Sequence, residues 1–447
     1  MTRLRKNAFR TLAALAAGAW LLILAGPAAA AGKLSIAYMP HPIHEQQLKW
    51  MKKWGEMKGV EIKPTPISYE VYVEKLTASF LAKSQEYDII WHNDDWGQLW
   101  GAFMEPVEDM KVLTLMDRKL LVDKAMLWKQ PDGKRAATAV PFSETNGVFF
   151  YRKDLISEAE YPKTWADLVR VGQKLQKEGK VKWGFVGGLK YPHTWFTLLW
   201  SLWTNDCDIF SPYNERDNEV LAKNDWKSML NEKCAREAIE FWWDNINTHK
   251  ISPPALVSYT RTESDGIFMA GESFMTMNDT PLYGKYNDPA ASKVAGKVAM
   301  GRFPLGPSTT RKGVAWRAAW FWAIPKAIAP EQKKLAKEML EWMGESEEVQ
   351  RDIFKATAGI PPISKVQEAL AKEEPLFQQI KATLLDAPYH VVPAYYFKQW
   401  PEVHATFSDI ASKALIGKRE DIGKVLSEGA QKLSEICLLY TSDAADE

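Results

Sequence analysis

The sequence predicts an α/β fold made of two or three domain-sized modules. Three observations predict it. The segment after the N-terminal leader alternates short β-type runs with amphipathic helical stretches, the pattern of right-handed crossovers and a parallel sheet. A second module opens near Pro141 with strand and helix signals of its own. The chain has 447 residues, 46% hydrophobic and 25% charged, which is enough for several cores and is the composition of a folded protein.

The ends are set aside first. Arg3, Arg5, Lys6 and Arg10 precede an apolar run from Thr11 to Ala25, and Pro27-Ala28-Ala29-Ala30-Ala31 supplies small residues for cleavage. Residues 1–31 therefore read as a secretory signal peptide cut near Ala30 or Ala31. A retained anchor is the rival reading, but the run is short for a membrane span. No cysteine follows the run, so no lipobox is present and the mature chain is expected free in the periplasm. At the other end, residues 437–447 read as a sequencing adapter translated in frame, an artefactual tail on a chain expected to continue past Glu435.

Between these ends, the basic and acidic residues balance at 53 each. Such a chain lacks the basic surface that nucleic acid or an anionic membrane would demand. Two cysteines remain, Cys207 and Cys234. An oxidising compartment permits a disulfide, and the sequence leaves bonded and free thiols equally open.

In the first module, Leu34 to Met39 reads as a strand. His44 to Met57 reads as a helix, with Leu48, Trp50, Met51, Trp54 and Met57 at helical spacings. Val60 to Lys63 is a strand. Glu70 to Lys83 is a helix with Val73, Leu76 and Phe80 along one side, and Glu86 to Trp91 is a third strand. Ligands of parallel sheets sit beyond the carboxyl ends of strands. The loops Pro40-His41-Pro42-Ile43-His44-Glu45 and His92-Asn93-Asp94-Asp95-Trp96 are thereby expected on one edge. The second loop sets carboxylates and an amide beside a flat ring, the combination that hydroxyls and a C–H face require. The plainer alternative is that Asp94 and Asp95 cap a helix and Trp96 packs in the core.

In the second module, Gly147 to Tyr151 is a buried strand type. Thr164 caps a helix, and Asp167 completes a variant capping box. Lys182 to Val186 is a strand, and Trp195 to Trp203 and Ala235 to Trp243 are apolar helices. Phe274 to Met277 is a strand running into Asn278-Asp279-Thr280-Pro281-Leu282-Tyr283. Strand character returns from Val298 to Pro325. A helix opens at Pro330, and helical patterning dominates from Val366. Of the 20 tryptophans only Trp20 lies in the leader, so most must be core. Trp50, Trp54, Trp200, Trp203, Trp242 and Trp243 sit on apolar helix faces, whereas Trp96, Trp195 and Trp316 fall at loops.

Seven short motifs occur in order: Tyr72-x-x-Lys75-Leu76; Asp88-Ile89-Ile90; Val140-Pro141 leading to Tyr151-Arg152-Lys153-Asp154-Leu155; Pro162-x-Thr164-Trp165-x-Asp167-Leu168; Phe268-Met269-Ala270-Gly271-Glu272; Ala323-Ile324-Pro325-Lys326; and Gly359-Ile360-Pro361-Pro362. Over roughly residues 33–436 the chain resembles the extracellular solute-binding proteins of ABC importers, family 1, the carbohydrate-binding family that includes maltodextrin-binding protein. The resemblance implies a periplasmic-binding-protein type II-like fold, two α/β lobes joined by a hinge that the chain crosses more than once. Lobe one is expected at 33–140 and 296–367, lobe two at 141–295 and 368–436. It also implies a monomer that captures a sugar, short oligosaccharide or polyol between the lobes, passes it to an ABC permease in the inner membrane, and needs no cofactor and no catalytic group.

Carried over position by position, the resemblance nominates His41, His44 and Glu45 after the first strand, and Asn93, Asp94, Asp95 and Trp96 after the third. It nominates Glu144 and Asn146 at the crossing, and Lys190, Tyr191, His193 and Trp195 in a lobe-two loop. Asn278, Asp279 and Tyr283 follow, then Trp316 and Arg317 by a loose match, and Tyr395 and Tyr396 late in the chain. Each has a structural alternative: a loop hydrogen bond for the histidines, a hinge salt bridge for Glu144. The acids and rings would also suit a polyamine. A metal carrier using His41, His44, Glu45 and the tyrosine pair is a rival, but Leu48 stands where a zinc motif needs its second histidine. A secreted glycoside hydrolase using Asp94, Asp95 and Glu144 is the enzyme rival, but adjacent carboxylates do not readily flank one bond.

Overall fold

The alternation expected in the first module is present. β1 (Gly32–Tyr38), the helix Pro42–Lys58, β2 (Val60–Pro66), the helix Tyr69–Leu81 and β3 (Ile89–Asn93) follow in that order. Pro42 opens the first helix, where its missing N–H costs nothing, and Gly59 at φ 68° closes it. β1 pairs in parallel with both β2 and β3, so the loops after β1 and β3 leave the same sheet edge. The computed structural model describes residues 32–116, 126–211, 226–387, 389–390 and 398–441.

After a small hairpin, β4 (Leu127–Lys129) and β5 (Arg135–Ala137), comes the long strand β6 (Val140–Arg152). The second module adds β7 (Trp183–Val186), β8 (Ser273–Asp279) and β9 (Val298–Gly301). β10 (Ala315–Ala323) and the short β11 (Tyr389–His390) complete the set. The sheet order is β2-β1-β3-β10-β6-β8-β7, with β11 beside β10 and β9 beside β6. Two parallel halves, β2-β1-β3 and β8-β7, are thus joined through the antiparallel pair β10 and β6. β6 pairs with β10 from Val140 to Gly147 and with β8 from Gly147 to Tyr151, so it passes from one lobe into the other at Gly147.

The sequence reading started this strand at Gly147, seven residues late. Ser143, Glu144, Thr145 and Asn146 are polar, and Pro141 cannot donate to a ladder. The register shifts between Trp320 and Phe321, opposite Ser143 and Pro141, so the proline sits at an irregularity in the pairing. The capping box at Thr164 and Asp167 forms as read. Cys207 and Cys234 are disulfide-bonded, with Cα atoms 5.6 Å apart.

Two hydrophobic cores flank the strand crossing. One gathers Leu34, Ile36, Ile89, Met339 and Leu340, and takes in Phe268, Leu282 and Tyr286. The other gathers Phe149, Leu199, Trp200, Trp242, Phe407 and Leu433. The lobe boundary expected at 367 falls inside the helix Ser364–Glu373, and Leu370, Ile380 and Leu384 beyond it still pack in the first core. Nothing in the apolar pattern breaks there. The last helix, Ile422–Thr441, runs on into the segment read as adapter-derived. Among the described residues no helix is long and apolar enough to cross a membrane.

Candidate functional site

A cavity of about 280 Å³ lies between the lobes, over one face of the crossing strands. Strand alternation decides which residues reach it. Trp316, Ala318 and Trp320 of β10 and Thr145 of β6 line the cavity. Arg317, Glu144 and Asn146 occupy the opposite face. There the Arg317 guanidinium donates through Nε to Glu144 Oε2 at 3.1 Å, and through Nη2 to the same oxygen, in a buried ion pair. Glu144 and Asn146, nominated at the crossing, and Arg317, nominated by the loose match, therefore do not line the cavity. Trp316 lies flat enough on Gly147 that a Cβ there would stand 2.8 Å from its ring, so glycine is what lets the indole into the wall.

Lobe one contributes the loops after β1 and β3. His41, Asn93 and Asp94 line the cavity as nominated. Asp94 Oδ2 accepts the Ala319 N–H at 2.9 Å, which pins the tip of β3 to the hinge strand. Asp95 turns the other way. Its Oδ1 accepts from Asn93 Nδ2 at 2.7 Å and its Oδ2 from Trp400 Nε1 at 2.6 Å. Trp400 belongs to the second core, so this bond joins the lobes. Burial raises the Asp95 pKa to about 7, against the pull of the Trp400 and Asn93 bonds.

Trp96 is a correction to the reading of the β3 tip. It is 2% exposed, stacks on Tyr72 at 5.6 Å and 19°, and packs against Trp91 and Trp100. It belongs to the core of lobe one because the short 3-10 turn Asp94–Trp96 swings the ring back under the sheet. His44 is likewise internal. Its Nδ1 bonds Met39 O at 2.7 Å and its ring packs against Trp91 and Trp320. Burial, then His41, lowers its pKa to about 3, so it is neutral. Glu45 faces solvent and accepts from the Tyr38 hydroxyl at 3.0 Å.

Lobe two contributes His193, Trp195 and Asp279 as nominated. Trp195 packs edge-on against Trp316 at 5.1 Å, giving two indole planes in the wall. Asn278 stands behind, its amide nitrogen donating to Asp265 Oδ1 and to the Tyr286 hydroxyl. Lys190 and Tyr191 do not line the cavity; Tyr191 is half exposed and packs on His404. Tyr283 is half-buried outside it. Tyr395 and Tyr396 lie outside the described residues.

Several lining residues escaped the sequence reading: Tyr69, Glu70, Phe196, Asp265, Lys285 and, above all, Arg261. Arg261 opens the helix Arg261–Met269 behind the Thr260 and Glu263 capping box. A capping-box signature was legible in Thr260-x-x-Glu263, but nothing there says that the next side chain turns into a cavity. Its Nη2 donates to Asn278 Oδ1 and, at 2.8 Å, to Asp279 Oδ2, while the guanidinium stacks over Phe196 at 4.5 Å. Burial works to raise the Asp279 pKa, but Arg261 and His41 beside it hold it down at about 2.

Besides the Asp95 bond, contacts that cross between the lobes at the cavity include His41 Nε2 to Asp279 Oδ1 at 3.3 Å, His193 Nε2 to Glu70 Oε1 at 3.5 Å, and the Tyr69 ring against the His193 ring at 5.6 Å. Burial lowers the His193 pKa, with Glu70 opposing. Asn93 Oδ1, His41 Nδ1 and Trp316 Nε1 are buried without a hydrogen-bond partner among the described residues. Unpaired buried groups of this kind cost about 1–3 kcal/mol each, and a hydroxylated guest would satisfy them. No cluster of three metal-ligating side chains occurs among the described residues.

Residues 49–379 match the family described as bacterial extracellular solute-binding protein. The chain belongs to that family. This solute-binding protein is similar to the erythritol/L-threitol-binding protein of Mycolicibacterium smegmatis, 21% identical over 324 residues. That match covers 66% of this chain and 63% of the relative, less than two thirds of its length. In fold it is similar to maltose-bound T. maritima MalE3, with TM-score 0.72, 21% identity and coverage of 91% and 100% of the two chains. It is also similar to a ribitol complex of an ABC transporter solute-binding protein from Agrobacterium radiobacter K84, with TM-score 0.73, 20% identity and coverage of 91% and 99%. A third such structure is an α-D-tagatose-bound protein from Thermotoga lettingae TMO, with TM-score 0.73, 16% identity and coverage of 90% and 100%.

Proposed function

We propose that this chain is the periplasmic binding component of an ABC importer, capturing a sugar or polyol between its lobes and presenting the closed form to a membrane permease. The observation that carries the reading is the cavity itself: indole walls from the hinge strand and lobe two, with acids, an amide and histidines brought from both lobes. Groups that meet only when the lobes are together give a ligand more contacts in the closed state than in the open one. That difference is what drives closure. The work is capture rather than chemistry, and the relatives named for erythritol, ribitol, tagatose and maltose support a hydroxylated cargo. The reading includes secretion through the leader, with cleavage near Ala30 or Ala31, and action as a monomer.

The test is a thermal-shift panel of sugars, polyols and polyamines on the purified protein. A cognate ligand at a hundredfold excess over its Kd stabilises by about 3 kcal/mol, and small-angle scattering should report a more compact particle. If spermidine raises the midpoint and no sugar or polyol does, the carbohydrate reading fails. The four carboxylates in the lining make that comparison necessary. Asp279 and Asp265 already face Arg261 and Lys285, at 2.8 and 3.6 Å, which argues for a neutral guest.

A further inference from the structure

We propose that Arg261, held by Asp279 and Phe196, is the specificity-determining residue of this cavity, and that the pair reads adjacent hydroxyls of a small neutral ligand, a polyol or a single sugar ring, rather than an oligosaccharide. The inference rests on the sugar-and-polyol reading above and narrows it.

The local structure fixes the guanidinium. Arg261 is the first residue of its helix, and the capping box holds its backbone. The Gly188 loop closes directly on it: a Cβ on Gly188 would stand 2.9 Å from Arg261 N and 3.2 Å from His193 Cβ. Phe196 supports one face of the guanidinium, and both Nη2 protons are committed to Asn278 and Asp279. Nε and Nη1 have no hydrogen-bond partner among the described residues, and the side chain borders the cavity. Three N–H donors in a rigid plane therefore remain beside an ionised carboxylate. Neighbouring hydroxyls match that arrangement, because each can accept from the guanidinium and donate to the carboxylate. An ammonium cannot reproduce the planar fork.

Charge argues for a neutral guest. Arg261 already has Asp279 as its counter-ion, and Asp94, Asp265 and Glu70 also line the cavity. A sugar acid would add a carboxylate to that group. Size argues for a short guest. The cavity, at about 280 Å³, falls just below the roughly 300–1,000 Å³ of pockets that enclose drug-sized ligands. The contacts His41–Asp279 and His193–Glu70, which span the lobes at the cavity, leave less room for a second sugar ring.

The test is isothermal titration of the full chain with erythritol, ribitol, D-sorbitol, D-glucose, D-gluconate and maltose, on wild type and Arg261→Lys. Wild type should bind at least one of the four neutral single-unit compounds, and should bind maltose and gluconate at least about a hundredfold more weakly. Arg261→Lys should weaken the best ligand roughly 30-fold, as expected for losing charge-assisted bonds, while the unliganded variant still unfolds in one cooperative transition. One monodeoxy analogue should lose affinity on wild type and lose none on Arg261→Lys, a coupling that a merely structural arginine would not produce. Maltose binding more tightly than every single-unit ligand would leave the carbohydrate reading intact and overturn this one. So would an Arg261→Lys variant within threefold of wild type. If none of the sugars and polyols binds, the reading beneath falls, and this inference with it.

Discussion

The tips of β3 and β8 are built from the same kinds of residue and do the same two jobs with different members. Asn93-Asp94-Asp95-Trp96 in lobe one and Asn278-Asp279 in lobe two each end a buried strand in an amide and acid. At the first tip, Asn93 and Asp94 face the cavity, Asp95 reaches across to Trp400, and Trp96 goes into the core. At the second tip, Asp279 faces the cavity and His41, while Asn278 ties down Asp265 and Tyr286. Each tip divides its polar groups between the cavity and its own surroundings: Asn93, Asp94 and Asp279 border the cavity, while Asp95 and Asn278 tie down neighbouring segments. Composition alone cannot say which member does which.

Four measurements would break or sharpen that comparison. The largest effect belongs to the ring. Trp96→Ala should cost about 4 kcal/mol in urea unfolding, as large aromatic deletions in cores do. A variant that unfolds like wild type but no longer binds would put Trp96 back in the cavity. Next is the titration of Asp95. Its folded pKa, near 7, is raised above the unfolded value, so its contribution to stability is full below about pH 4 and is lost as pH rises through 7. Stability should fall by about 2 kcal/mol between pH 5.5 and 7, at roughly 1.4 kcal/mol per unit. Asp95→Asn should flatten that slope. An unchanged slope in the variant would show that other groups carry it.

Asp94→Asn should then weaken the best ligand about tenfold, near 1.4 kcal/mol, while Asp95→Asn changes affinity less at acid pH. Equal losses at pH 5.5 would erase the division between the two neighbours. The smallest effect is Glu45→Gln, expected within about 0.5 kcal/mol of wild type in stability, as for an exposed side chain. A measurable loss of binding would bring the first-strand loop further into the site than His41.

Much of the scaffold was legible because it rests on periodicity. The strand–helix alternation around Leu34, Leu48, Leu76 and Ile89 is a core pattern, and core patterns follow from burial. The crossing strand was harder. Residues Ser143 to Asn146 are polar because one face meets a cavity and the other an ion pair, so apolar alternation never marks them. The same fact explains the nominations of Glu144, Asn146 and Arg317. They lie on strands that border the cavity, on the face turned away from it. Arg261 was invisible for another reason. Its partners, Asn278 and Asp279, lie 17 and 18 residues away, and Phe196 is further still.

By itself, the sequence determined that parallel strands end in acidic and aromatic loops on a common edge, and that two such modules share one chain. Propensity, period and capping are local and can be read locally. Only the tertiary structure decided which of two neighbouring carboxylates borders the cavity, which indole is wall and which is core, and that Arg261 lines the cavity as well. Those outcomes depend on register and on side chains meeting across lobes, and such contacts are set by packing between segments far apart in the chain.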